Sequence, residues 1–198
     1  MLPEIELDLA PAGVRLFDAT GGYRSDTPPP FWSFAWPGGI ALARYLLDHP
    51  AVVKGRTVVD FGAGSGLVGI AAARAGATTV TAVDTDPAAR DAAVRNGRRN
   101  GVELQTAASI VPADVIVAGD VFYSGAVAPK VLQVLRGARS EALVGDPGRG
   151  FLPERLFEEL AAYDVPVRPE LEEDGDVMRT RVWRLVRATS AAASAAGP

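Results

Sequence analysis

The stretch VVDFGAGSGLVG, residues 58–69, places Gly62, Gly64 and Gly66 directly after a short apolar run that carries one carboxylate, Asp60. Glycines there permit a tight turn and let backbone approach a ligand, and a helix starting behind them offers N–H groups without intrahelical partners. A second carboxylate, Asp84, closes the next apolar run, about twenty residues on, where it can hold both hydroxyls of a ribose. Loop and acid together point to a bound nucleoside; the bland alternative is a tight turn with an unrelated surface aspartate. Two nucleosides compete. Gly64, Gly66 and Gly69 spell G-x-G-x-x-G, a dinucleotide signature that is weak when it stands alone. Asp60 argues against a pyrophosphate, because a carboxylate there would repel it yet could accept from backbone N–H groups or, through water, from a ligand ammonium. S-adenosylmethionine carries an ammonium and a sulfonium and no phosphate, so it tolerates an acidic loop and is the favoured ligand.

The elements that must position these groups alternate along the chain. Apolar residues at 40, 43, 46 and 47 predict a helix that stops before Pro50. TVVDF (57–61) and TTVTAVD (78–84) read as buried strands. LVGIAAARAG reads as a helix closed by Gly76, and PAARDAAVRNGRRNG as a helix with Pro87 in its first turn and Gly101 beyond its end. Weaker strand signals at 102–106, 114–118 and 141–145 are separated or followed by helices near 126–136 and 153–163. Such alternation gives an α/β fold, a doubly wound and largely parallel sheet. DVPVRPEL and VMRTRVWRLV, joined by the acidic EEDGD, suggest a terminal antiparallel hairpin whose first strand Pro166 and Pro169 confine to an edge. One domain over 1–187 is expected, opening with a strand-like alternation EIELDL and an aromatic, proline-rich segment within 1–39. FWSFAWPGG (31–39) reads there as a loop, too irregular for a strand and too proline-rich for a helix. Residues 188–198 are low-complexity and expected to be disordered.

The bulk numbers exclude several chemistries. At 198 residues with 48% apolar and 22% charged content the chain suits one ordinary domain. A net charge of -4 speaks against a general nucleic-acid binder. No cysteine and one histidine exclude disulfides, thiolate nucleophiles and Cys/His metal sites, so no metal is expected. The amino terminus lacks a secretory signal and no apolar run approaches a membrane span, so a cytoplasmic location and no membrane partner are expected.

VVDFGAGSG, AVDTDP and AGDVFY together resemble the seven-β-strand methyltransferases, in their protein-lysine branch. More narrowly, PPPFWSFAWPGGIALARYLLD, VGDPGRGFLP and TRVWRL are similar to the electron-transfer flavoprotein β-subunit lysine methyltransferases and their bacterial relatives, over roughly residues 14–186. The resemblance implies a Rossmann-like seven-stranded sheet with S-adenosylmethionine over the ends of its first two strands. It implies that Gly62, Ala63 and Gly64 contact the methionine part and Asp84 the ribose, with Gly66 and Asp60 in the same donor site. Trp36 would cover the donor, and Gly119 would pass beside it. It assigns the D-x-x-Y pair Asp120 and Tyr123 to the acceptor amine. Phe34, Asp146 and Arg149 would rim the substrate entrance. One departure stands out: after the third strand there is no acid for the adenine before Asp114, which is expected to begin the next strand, so the adenine contact is unassigned, with Thr106 to Ala108 as candidates.

A sulfonium donor brings its own leaving group, so the protein must supply orientation, desolvation and a neutral amine. A lysine with a pKa near 10.4 must lose a proton first, and an apolar, ring-lined channel lowers that pKa. The expected acceptor is a protein lysine, on the electron-transfer flavoprotein β subunit or a similar protein. Alternatives are a ribosomal or other protein, a small amine, a distant NAD(P)-dependent oxidoreductase, and a silent binding module.

Overall fold

The computed structural model describes residues 2–10, 30–166 and 176–187. A seven-stranded sheet runs in the order β3-β2-β1-β4-β5-β7-β6. Strands β1 (Thr57–Phe61), β2 (Thr79–Val83), β3 (Gln105–Ala107), β4 (Val115–Gly119) and β5 (Glu141–Asp146) are parallel. β7 (Val177–Leu185) lies antiparallel to β5 and to β6 (Phe157–Pro166), which forms the far edge. Helices α1 (Pro37–Asp48), α2 (Leu67–Arg74), α3 (Pro87–Arg99) and α4 (Ala128–Gly137) connect them. Consecutive side chains of β1 serve opposite faces: Val58 joins a core with Leu42 and Leu46 of α1 and Ile70 of α2, while Val59 joins one with Val131 and Leu135 of α4. That two-sided burial explains why these strands read as unbroken apolar runs.

Three expectations need correction. The helix expected near 153–163 is a short 3-10 turn, Glu154–Leu156, followed by β6. Glu158-Glu159 and Ala161-Ala162 look helical because a register shift between Glu159 and Ala161 breaks the period of two. Pairing with β7 then overrides helix propensity, helped by cross-strand ion pairs Arg184–Glu158 at 2.7 Å, Arg181–Glu159 at 3.3 Å and Arg179–Asp164 at 3.1 Å. The expected first hairpin strand therefore begins earlier, at Phe157, and is described as far as Pro166; its continuation through 171, most of the EEDGD connection and the 188–198 tail lie outside the described residues.

The alternation EIELDL forms no strand. Asn96 of α3 and Asn100, its C-cap residue, replace a ladder there. Asp8 N–H donates to Asn96 Oδ1 at 2.7 Å and Glu6 N–H to Asn100 Oδ1 at 3.0 Å, while Asn100 Nδ2 donates back to Glu6 O at 2.6 Å. Finally, FWSFAWPGG is not all loop. Phe31–Ser33 make a 3-10 turn, and Pro37, Gly38 and Gly39 are the first turn of α1. Proline is at home in that position because its missing N–H is not needed.

The glycines of WPGG, AGD and VGD interlock. A Cβ on Gly38 would lie 2.6 Å from Asp120 N, and one on Gly119 would lie 2.6 Å from Gly39 Cα. On Gly145 it would lie 2.8 Å from Gly38 C. The amino end of α1 thus packs backbone to backbone on the carboxyl ends of β4 and β5.

Candidate active site

Two of the helices that begin at the carboxyl edge of the sheet, α1 and α2, lack a side-chain cap of their own. Gly66 and Trp36 stand at the N-cap positions of α2 and α1 and neither gives a side-chain cap hydrogen bond. Strand-borne aspartates supply it from a distance. Asp60 on β1 accepts from Gly69 N–H in the first turn of α2 at 2.8 Å. Asp120, just past β4, accepts from Gly38 N–H in the first turn of α1 at 3.0 Å. Carboxylates at these ends satisfy orphan donors and suit the positive end of the helix dipole.

On the β1–β2 side, Gly62 and Ala63 N–H both donate to Val83 O at 2.8 and 3.1 Å, folding the loop over the end of β2. Gly64, at φ +51°, donates its N–H to Asp84 Oδ2 at 3.0 Å, and Asp86 N–H donates to Asp84 Oδ1 at 3.0 Å. The two features that the sequence separates by twenty residues are therefore one unit. Each Asp84 oxygen keeps acceptor capacity beyond its single backbone partner, and the residue is only partly buried. Gly66 adopts φ +81° and faces Ala93 of α3, 2.8 Å from where its Cβ would be. Asp60 is 1% exposed. Burial pushes its carboxyl up to about 7, opposed by the Gly69 N–H and reinforced by the charge of Asp84. The third glycine of G-x-G-x-x-G also belongs to Asp60, since a Cβ on Gly69 would sit 3.1 Å from Asp60 Oδ2. Ala107 O, at the end of β3, accepts from Asp84 N–H at 3.2 Å, which sets Thr106 to Ala108 beside this unit.

On the β4–β5 side, Asp120 holds a positive φ of 58°, the only non-glycine to do so among the described residues. Such strain persists where surroundings impose it and clusters at functional sites. Its N–H donates to Gly145 O at 2.8 Å, and its Oδ1 accepts from Arg149 Nε at 2.9 Å. The Arg149 guanidinium lies over the Trp36 ring, 5.8 Å from its centroid. Trp36 Nε1–H donates to Phe31 O at 2.8 Å, and Phe31 stands edge-on to Trp36 and 6.0 Å from the Tyr123 ring. Tyr123 is 47% exposed, so it does not pack into the sheet. Asp146 closes the group behind. Its Oδ1 accepts from Gly148 N–H at 2.7 Å, and burial pushes its carboxyl up to about 6, with the Gly148 hydrogen bond opposing, Asp120 adding and Arg149 opposing.

Asp120, Arg149, Trp36, Phe31 and Tyr123 are thus one connected cluster, and Gly62, Ala63, Gly64 and Asp84 another. Two expected positions differ. Phe34 is 2% exposed, packed beside Phe31 and Trp36, so it backs the aromatic wall and does not rim an entrance. The side of Gly119 where a Cβ would go faces Gly39, so packing against α1 accounts for this glycine. Sequence reasoning passed over Trp32, whose Cα lies against Gly64 and whose ring carries Arg95 at 6.0 Å. It also passed over Gly38 as the donor to Asp120. The spacing of two tryptophans four apart, on either side of Ser33, Phe34 and Ala35, was the available signal: one faces each cluster.

The chemistry of the donor set discriminates between the two nucleosides. A pyrophosphate needs the N–H groups of the loop and the helix start, yet those of Gly64 and Gly69 are already taken by Asp84 and Asp60. An acidic, partly capped loop instead fits a phosphate-free nucleoside bearing positive charge.

Comparison with known proteins agrees. The model of the ribosomal protein L11 methyltransferase family (PrmA) matches residues 42–133. The electron transfer flavoprotein beta subunit lysine methyltransferase of Rattus norvegicus is 34% identical over 92% of this chain and 77% of its own. That of Danio rerio is 34% identical over 93% and 76%. Among solved structures, the T. thermophilus 16S rRNA N2 G1207 methyltransferase, in complex with AdoMet and guanosine, superposes with a TM-score of 0.56 at 20% identity, over 78% of this chain and 44% of that one. The glycine loop joined to Asp84, the seven-stranded sheet and the length of these matches lead to one conclusion: the chain is a methyltransferase and belongs to the family of electron transfer flavoprotein beta subunit lysine methyltransferases.

Proposed function

We propose that this methyltransferase moves a methyl group from S-adenosylmethionine to the ε-amine of a lysine on a protein acceptor, the electron-transfer flavoprotein β subunit or a protein like it. The observation that carries the proposal is the pairing of Gly64 with Asp84 beside a second acidic cluster under aromatic cover. Gly62, Ala63, Gly64 and Gly66 would hold the methionine part, Asp84 the ribose hydroxyls and Trp36 the roof, with Asp60 bracing the loop from beneath. When bound, the donor supplies an electrophilic methyl group and a neutral thioether leaving group. Asp120 accepts a hydrogen bond from the acceptor nitrogen and fixes its lone pair in line. Tyr123 and Phe31 flank the amine and limit water, which favours its neutral form. No dedicated base is required once alignment and desolvation are in place.

The acceptor is tested by mass spectrometry of proteins from the native host, with the enzyme present and absent. A lysine-methylated protein that appears only with active enzyme supports the proposal. Label confined to small molecules would replace the protein acceptor with a free amine. Calorimetry with S-adenosylhomocysteine and with NADH tests the donor; tight NADH binding without response to the homocysteine would overturn it.

A further inference from the structure

We infer that the space between Asp120 and the Trp36 ring is a subsite for an alkylammonium group, and that Arg149 is its built-in occupant, displaced when an acceptor amine enters. The inference rests on the methyl-transfer proposal above, in which Asp120 is the acceptor-side carboxylate. The Asp120 side chain is 4% exposed, and an enclosed carboxylate without a cation is costly, so some positive group must sit against it. Arg149 does so at 2.9 Å while its guanidinium covers an indole face, the arrangement by which proteins recognise cations generally. An incoming ammonium would draw on the same carboxylate and the same ring face, so it competes with Arg149 for them.

The turn that carries Arg149 is suited to release it. Gly148 and Gly150 flank it at φ +88° and +82°, and at both a Cβ would meet nothing within 4 Å. Two permissive backbones in open space give the arginine a local hinge, whereas Asp120 is clamped by Gly38 and Gly145. A further acceptor lies beside the cation. Asp146 Oδ2 is buried with no hydrogen-bond partner among the described residues, and its carboxyl is close enough to feel the charges of both Asp120 and Arg149. An ammonium has three N–H donors to distribute, and a spare buried acceptor serves one of them.

The test uses full-length protein at pH 8.5 with n-butylammonium chloride as the acceptor probe, read by tryptophan fluorescence against sodium chloride of equal ionic strength. Arg149→Met removes the resident charge and keeps most of the stem; Arg149→Lys keeps a charge. The expected result is probe affinity at least roughly tenfold tighter in Arg149→Met than in wild type, with Arg149→Lys near wild type. In methyl-transfer assays the acceptor KM should fall in Arg149→Met. Equal probe affinity in wild type and Arg149→Met would overturn the inference. So would a folded Arg149→Met protein that binds S-adenosylhomocysteine but loses transfer, which would make Arg149 a positioning residue for Asp120. Probe binding needs no methyl transfer. Wild-type enzyme that methylates no protein, while the probe results hold, would sink the protein-acceptor proposal and leave the cation subsite standing.

Discussion

Replacing Gly145 by alanine tests whether the site depends on the backbone contact between α1 and the sheet. Gly145 has no positive φ, so the added methyl brings steric cost without conformational cost. The new Cβ would meet Gly38 C at 2.8 Å and Leu42 Cβ at 2.9 Å, with the Gly38 carbonyl oxygen nearer still; real Cβ contacts below 3.0 Å are essentially unknown. Relief requires α1 to lift from β5, and the residues involved are all buried. Overpacking of this kind costs about 1–3 kcal/mol and more where backbone faces backbone, so a loss of about 3 kcal/mol is expected. Lifting α1 also draws Gly38 from Asp120, a hydrogen bond of 3.0 Å. Gly55→Ala is the control, since Gly55 has φ +75° and open space around it; it should lose only about 1 kcal/mol. Urea unfolding of both variants supplies the numbers. In the folded Gly145→Ala protein, methyl transfer should fall much further than S-adenosylhomocysteine affinity, because Asp84 and its loop lie on the other side of the site. A Gly145→Ala protein within about 1 kcal/mol of wild type would refute the interlocked-glycine account.

Asp60 has a folded-state pKa raised from 3.8 to about 7, so the folded protein binds the extra proton. Its contribution to stability is therefore fully present below about pH 4 and is lost as pH rises toward 7, by a few kcal/mol. Asp60→Asn, which can still accept from Gly69, should flatten that slope in urea melts taken from pH 4 to 8. Asp84→Ala should weaken S-adenosylhomocysteine binding by more than about a hundredfold in calorimetry, the worth of two hydrogen bonds to a charged acceptor. Asn100→Ala should cost about 2 kcal/mol and speed proteolysis within residues 2–10, because it strands the backbone of Glu6.

The parallel core was legible because its signals are local. TVVDF is β1 to the residue, and Pro87 and Gly101 bracket α3 as their backbone preferences require. The junction of the glycine turn with Asp84 was legible for the same reason: the turn and the acid at the next strand end lie within one βαβ unit. What escaped depends on distant partners. Pro37-Gly38-Gly39 looked like a loop because its helix is capped by Asp120 from across the sheet, and no local pattern encodes that. Phe34 looked like an entrance residue until the 3-10 turn before it rotated the ring inward. β6 was hidden by a bulge, and EIELDL looked like a strand although its hydrogen bonds go to asparagine side chains in α3 and at its C-cap.

The most direct test of the account is Asp120→Asn, which keeps an oxygen for Gly38 N–H and removes the charge. S-adenosylhomocysteine affinity should stay within about threefold of wild type, while methyl transfer to the acceptor falls by about a hundredfold or more. A variant that transfers at the wild-type rate, or one that remains folded yet no longer binds the donor product, would contradict the division of the site into a donor half at Asp84 and an acceptor half at Asp120.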